Sequence, residues 1–480
     1  MPHFRKPLPL AVFGALLALL PSCRNLVDNY RYESPEKGKP SKGGSYAKIS
    51  ASAAKGTLLG LARQPVTTVV VGGAVLWQRP RELITGNFPG KREFRYAADQ
   101  APGTDGFEAL LDKKDLPQPV GAKITWLVDG QRFYPELERE IRNARATIDV
   151  QAYIFDTDDV AVGIADLLKR RSAETQVRAV FDDLGSTSAA GDVPETPFPP
   201  GFKPPASMSR YLREGDSQVK VRSMLNPWLV CDHTKLHVFD SRVALMGCMN
   251  IGREYRSEWH DLMFRVEGSA VTELQRDYDR TWARTGPFGI VAGLRGHRRV
   301  PVNAPVSGEI PIRILRTDPA AWRYEIQKAM LLGIRAARQR IWIEDPYIAN
   351  DDITEALKDA AKRGVEVRVI YPDDNDSKIM DIANRAFAND LVEAGGKAYA
   401  YPGMTHLKAM ICDDWACVGS ANLDTLSMRI NRELNIAFRG KAAVNELISK
   451  VFTPDLARSK RHVREKQPGG ALVEAVADQL

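Results

Sequence analysis

The stretch HTKLHVFDSRVALMGCMN, His233 to Asn250, sets an imidazole and an ammonium two residues apart. Asp240 follows Lys235 after four residues, and the stretch closes with Gly247 and Asn250. A second stretch, HLKAMICDDWACVGSAN from His406 to Asn422, repeats the layout with Lys408, Asp413, Gly419, Ser420 and Asn422. In extended chain, residues i and i+2 point the same way, so His233 and Lys235 share a face, as do His406 and Lys408. Eleven residues after each asparagine stands a carboxylate, Asp261 in WHD and Glu433 in NRE. A lone His is more often packed than catalytic, and a lone Lys is usually solvated. Two matched His-Lys copies at matched spacing are much harder to read that way.

The flanking sequence is duplicated too. IDVQAYIFDTDD (148–159) lines up with IWIEDPYIANDD (341–352), and VRAVFDD (177–183) with VRVIYPDD (367–374). Leu137, Ile141 and Ala144 fall at helical spacing before a strand-like run, and a second helix and strand follow. Helix and strand in alternation imply an α/β fold with a mixed, mostly parallel sheet flanked by helices. Order and motif repeat together, so we expect two tandem α/β domains related by a pseudo-twofold, at 124–290 and 308–455. Residues 291–307 read as a linker and 456–480 as a tail. The proline-rich insertion TSAAGDVPETPFPPGFKPPASMS in the first half reads as an exposed loop.

If the halves pack about that axis, two imidazoles converge in one crevice with two ammoniums and the carboxamides of Asn250 and Asn422. Cations and amide donors are suited to the nonbridging oxygens of a phosphate, with Ser420 as a further donor. One imidazole can attack phosphorus while the other protonates the departing oxygen. Asp261 and Glu433 can fix the tautomers by hydrogen bonding to the second ring nitrogen. His237, two residues beyond Lys235, reads as core. No metal or cofactor is required by this chemistry, and no C-x-x-C pair suggests zinc.

These residues resemble the signature of the phospholipase D superfamily, His-x-Lys-x4-Asp followed by Gly-Ser-x-Asn. It is met at His233, Lys235, Asp240, Gly247 and Asn250, and again at His406, Lys408, Asp413, Gly419, Ser420 and Asn422; Cys248 replaces the first serine. The stretches EDPYIANDDITEALKDAAKRGVEVRVIYP and GSANLDTLSMRINRELNIAF resemble bacterial cardiolipin synthases. The resemblance implies a two-step reaction through a phosphohistidine, with His233 as nucleophile and His406 as general acid and base, the reverse assignment remaining open. It also implies supporting rather than chemical roles for Asp240 and Asp413. The expected activity is phosphatidyl transfer or phospholipid hydrolysis; the alternative is a phosphodiesterase acting on nucleic acid.

The 480 residues carry a formal charge of +7, which suits an anionic partner without choosing one. MPHFRKPLPLAVFGALLALLPSC has a basic start, an apolar run too short to span a bilayer, and Cys23 in a setting like a lipobox. We therefore expect a signal peptide at 1–22, a lipidated Cys23, and an exported monomer working on phospholipid at a membrane surface. Residues 23–123 read as a tether and irregular segment, within which VTTVVVGGAVLW (66–77) is a buried element or one lying on the membrane. MLNPWLV (224–230), just before the first motif, is a candidate apolar contact for lipid. The other four cysteines read as small buried thiols.

Overall fold

The β-branched runs and the apolar positions three and four apart become strands and amphipathic helices in the same order in both halves. A computed structural model describes residues 58–85, 96–182, 185–186, 195–227, 230–287, 289, 291 and 302–464. The signal peptide, Cys23, most of the linker and the end of the tail lie outside the described residues. The first half contains β1 (Val120–Val128), α3 (Gly130–Asn143), β2 (Thr147–Ala152), α4 (Asp159–Arg171), β3 (Gln176–Asp182), β4 (Lys220–Met224), β5 (Leu236–Phe239), β6 (Val243–Gly247), β7 (Leu262–Glu267) and α5 (Ala270–Arg284). Helices α1 (Pro65–Thr85) and α2 (Asp105–Lys113) lie ahead of it in the chain.

The second half repeats the plan: β8 (Ile310–Asp318), β9 (Arg323–Tyr324), α6 (Glu325–Ala336), β10 (Arg340–Glu344), α7 (Asp351–Lys362), β11 (Glu366–Pro372), α8 (Lys378–Glu393), β12 (Lys397–Tyr401), β13 (Ala409–Cys412), β14 (Trp415–Gly419), β15 (Glu433–Arg439), α9 (Lys441–Leu447), α10 (Thr453–Arg458) and β16 (Lys460–Arg461). All strands but β9 follow one path, β16-β12-β11-β10-β13-β14-β15-β8-β1-β7-β6-β5-β2-β3-β4. The order is palindromic about the antiparallel β8–β1 pair, where Val120 faces Ile312. The pseudo-twofold therefore passes between those two strands, and the halves share one sheet.

The α/β fold is as expected, with one refinement. Parallel pairing is confined to β2–β3–β4 and β10–β11–β12, where helices or a long loop connect the strands. The motif strands β5–β6 and β13–β14 are hairpins and hence antiparallel, as are the central strands. A mostly parallel sheet underestimates how much of each half is built from the motif itself.

The ends differ from the sequence reading as well. Part of the segment read as irregular is folded: Phe107 and Leu111 of α2 are buried in the second half's core, with Phe107 edge-on to Trp415 at 5.7 Å. Each such side chain contributes roughly 1.5–3 kcal/mol relative to exposure, enough to hold a nine-residue helix that is mostly polar outside. At the other end, β16 pairs with β12 and extends the edge of the shared sheet past residue 455. The described part of 224–230 is half-buried or buried rather than exposed. All four described cysteines are buried, and none is in a disulfide.

The motif residues explain their own hairpins. Asp240 and Asp413 sit at the turns with φ near +52° and +51°. The Asp240 carboxylate accepts the backbone N–H groups of Arg145, Ala146 and Thr147 at 2.7–2.9 Å. Asp413 accepts those of Arg338, Gln339 and Arg340 at 2.8–3.0 Å. Each carboxylate thus ties its hairpin to the strand that enters alongside. Gly247 and Gly419 end β6 and β14 where a Cβ would lie 2.5 Å from the facing strand, so no larger residue fits.

Replacing Asp240 by Ala strands three N–H groups at once. We expect a loss of about 2–3 kcal/mol in urea unfolding, with the specific activity of the folded fraction little changed. A neutral effect on stability would show that water replaces the carboxylate.

Candidate active site

His233 and His406 lie in the short extended segments that lead into β5 and β13, where the two halves cross. The crossing is made by two isolated parallel bridges, Asp232 with Arg432 and His260 with Thr405. His233 donates its backbone N–H to the Arg432 carbonyl at 2.9 Å, and Arg432 donates its own to Cys231. The other crossing has the same form: His406 N–H to the His260 carbonyl at 2.7 Å, and His260 N–H to Met404. Arg432 and His260 are the residues just before Glu433 and Asp261. Each histidine is therefore pinned beside the carboxylate of the opposite half.

The side chains complete the exchange. His233 Nδ1 lies 3.1 Å from the Glu433 carboxylate and 3.0 Å from the Ser420 carbonyl. His406 Nδ1 lies 2.8 Å from Asp261 Oδ2. Oxygen acceptors at Nδ1 require its hydrogen there, which leaves the Nε2 lone pair of a neutral imidazole free to act as nucleophile or base. Burial and the charges of Lys235 and Lys408 hold both imidazoles well below the usual value, so both rest neutral. Burial raises the carboxyls of Glu433 and Asp261 to about 7, against the pull of the two lysines.

Lys235 and Lys408 are almost wholly buried, and each ammonium donates to the carbonyl of its own histidine, at 2.8 and 2.6 Å. Burial lowers Lys235 to about 7, Glu433 opposes the shift and Lys408 adds to it. Two buried cations facing each other are costly, and an anion placed between them relieves that cost.

The remaining predicted residues divide. Asn250 Oδ1 accepts the Ile154 N–H at 3.0 Å, so that carboxamide also fixes the end of β2. Asn422 is buried, with its Oδ1 unpartnered among the described residues. Ser420 departs from the expected phosphate contact: its hydroxyl donates to Glu433 at 2.5 Å and accepts the Leu434 N–H, so its one proton is committed to the carboxylate. Ser427 also donates to Glu433, at 2.8 Å. In the first half Cys248 takes the place of Ser420 and gives its thiol hydrogen to the Gly419 carbonyl across the halves. Asp261 consequently lacks the hydroxyl support that Glu433 has. His237 stacks on Phe133 with neither nitrogen bonded, and burial lowers it to about 3, so it is a neutral core residue.

Aromatic walls escaped the sequence reading. Tyr153 stands edge-on to His233 at 5.0 Å and lies 5.3 Å from the Lys235 ammonium. Tyr255 and Trp259 flank His406 at 5.6 and 5.4 Å, with Tyr347 beyond them. Tyr153 and Tyr347 follow the strands that aligned between the halves, which was the available signal. Tyr255 lies within a short π-helix, 254–258, whose counterpart is 426–430.

Among the described residues, side chains of metal-ligating types cluster at His260, Glu344 and Asp455, and at Asp156, Asp158 and Glu254. His260 is clasped between Asp129 at 2.7 Å and Asp455 at 3.0 Å, and these hydrogen bonds raise it well above its usual value against burial. It is an imidazolium, the counterpart of Arg432 in its ion pair with Asp232 at 2.6 Å. Both crossings are thus held by a cation, one permanent and one titratable.

A family model described as cardiolipin synthase, PLD-like domain, matches residues 137–282 and 330–455. The chain belongs to this PLD-like family. Among its relatives, a probable cardiolipin synthase of Bacillus subtilis is 29% identical over 77% of this chain and 77% of its own length. A cardiolipin synthase of Alkalihalophilus pseudofirmus is 30% identical over 72% and 68%. The crystal structure of a phosphatidylserine synthase from Haemophilus influenzae shares the fold, with TM-score 0.57 and 13% identity, covering 77% of this chain and 96% of that one. The two matched segments of the PLD-like family contain one His-Lys motif each.

Protonating Glu433 or Asp261 below about pH 7 loosens a histidine, and deprotonating Lys235 above about pH 7 removes a buried cation from the crevice. We expect kcat/KM to peak near neutrality and fall on both sides. In Lys235→Arg the acid limb should stay while the alkaline limb disappears. An alkaline limb that survives this change belongs to another group.

Proposed function

We propose that this chain is a phosphatidyltransferase that moves a phosphatidyl group between alcohols through a phosphohistidine on His233. The observation that carries the reading is the crossed arrangement: two neutral imidazoles, each held at Nδ1 by the other half's carboxylate, beside two buried ammoniums. Such a site favours a phosphodiester, whose single negative charge satisfies the lysines. Membership of the PLD-like family, and relatives named as cardiolipin synthases, support a phospholipid as that diester.

In the first step His233 Nε2 attacks phosphorus and forms an N–P bond. The P–O bond to the departing alcohol breaks, and His406, protonated in the substrate complex, gives the alcohol its proton. In the second step the acceptor hydroxyl gives a proton to His406, its oxygen bonds to phosphorus, and the N–P bond breaks. Lys235, Lys408, Asn250 and Asn422 hold the nonbridging oxygens. Glu433 stabilises the charge that develops on His233, supported by Ser420 and Ser427. Asp240 and Asp413 act only through the hairpins. Its firmer carboxylate support favours His233 over His406 as the residue that carries the phosphoryl group.

Transfer to a lipid hydroxyl makes cardiolipin from phosphatidylglycerol; transfer to water makes phosphatidic acid. The N-terminal leader and Cys23 favour an exported enzyme anchored at a membrane.

Purified protein incubated with phosphatidylglycerol should yield cardiolipin and glycerol, with phosphatidic acid as a side product. Cleavage of single-stranded DNA with no lipid product would overturn the assignment. His233→Asn should lower turnover by roughly 10⁴-fold or more with an unchanged circular dichroism spectrum. Turnover retained in that variant would remove His233 from its role.

A further inference from the structure

Helix α1 is apolar on both sides. Its inner stripe, Val71 and Val75, packs with Val230 and Ile430, which lie beside the first motif and just before Glu433. Its outer stripe carries Val66, Val69, Leu76 and Trp77, exposed by 50, 66, 65 and 62%. Leu58 and Leu61, in the helical segment before it, are exposed as well. No charged residue occurs from Pro65 to Gln78. A helix on a water-facing surface would show polar residues there. No helix among the described residues is long and apolar enough to cross a membrane.

Beside this helix lies a cationic cleft. Ala320 packs against the inner stripe, and the next residue, Ala321, lines a cavity of about 100 Å³ with Arg280, Arg284, Arg323 and Arg432. The acidic partners Asp277 and Asp318 are buried, whereas the side chains of Arg280, Arg284 and Arg323 are a fifth to a third exposed. Each of these arginines is paired with a carboxylate, Arg280 with Asp277, Arg284 with Asp318 and Arg323 with Glu325, and each keeps part of its side chain exposed.

We propose that the outer face of α1 lies in the interfacial layer of an anionic phospholipid bilayer, with Arg280, Arg284 and Arg323 on the headgroups. An uncharged apolar ridge next to partly exposed arginines matches the layering of such a surface, acyl chains beneath and phosphates above. An anionic headgroup adds a second counterion at the exposed part of each arginine, which a net-neutral lipid does not. The ridge is fixed to the segments that enter the crevice, so docking brings the lipid phosphodiester plane to the mouth of the site. The inference rests on the phospholipid reading above. Its test reads membrane contact rather than turnover, so the two can fail separately.

The full chain carrying Cys23→Ser leaves only buried thiols, and Leu76→Cys then accepts a polarity-sensitive nitrobenzoxadiazole label. With phosphatidylglycerol vesicles the emission should shift to the blue and be quenched by brominated acyl chains. The same label at Val463→Cys, beside the far sheet edge, should show neither effect. A label at residue 76 that stays in water while the protein binds vesicles, or absence of vesicle binding, would overturn the proposal. So would self-association of the protein in place of vesicle contact. Equal quenching on pure phosphatidylcholine would overturn the role of the arginines. In the double variant V69D/L76D, KM on vesicles should rise roughly tenfold while kcat on detergent-dispersed substrate holds. An unchanged vesicle KM would count against the proposal.

Discussion

The exchange of carboxylates between the halves is the constraint on which the rest depends. Glu433 belongs to the second half and serves the first half's histidine; Asp261 does the reverse. Neither half can orient its own imidazole. The catalytic unit is therefore the whole two-half chain, and duplication in the sequence corresponds to interdependence in the structure. The continuous sheet through β1 and β8 makes this possible, because it fixes the distance and angle between the crossing segments.

Within this symmetric frame the two halves have diverged where it matters electrically. Glu433 receives two hydroxyl hydrogen bonds, while Asp261 receives a backbone N–H from Leu262 and no serine. The carboxylate beside the proposed nucleophile, His233, is the better supported of the two. The cations behind the crossings differ in the same sense. Arg432 keeps its charge at any working pH, whereas the charge on His260 depends on Asp129 and Asp455 holding its proton. A symmetric fold thereby presents two unequal histidines.

Burial makes the site expensive when empty. Lys235 and Lys408 are taken out of water with only carbonyls as close partners, and the carboxylates that balance them are themselves raised toward neutrality. In the proposed transfer, the phosphate of the diester supplies a balancing negative charge. Binding and electrostatic relief are the same event, which suits a site that must grip a diester in both steps of a transfer.

The amino-acid sequence alone determined the duplication, the α/β class and the reacting residue types, because each follows from spacing along the chain; the turn position of the two motif aspartates came from the structure. Asp240 and Asp413 close turns onto the adjoining strand. Only the tertiary structure decided which carboxylate faces which histidine, since that contact joins residues 200 and 145 positions apart across an interface. It also reassigned Ser420 from phosphate to Glu433, raised the aromatic walls around His233 and His406, and folded α2 onto the second half. Periodicity reports which way a side chain points from its own element. What waits there depends on how the elements pack, and that is settled by the whole core at once.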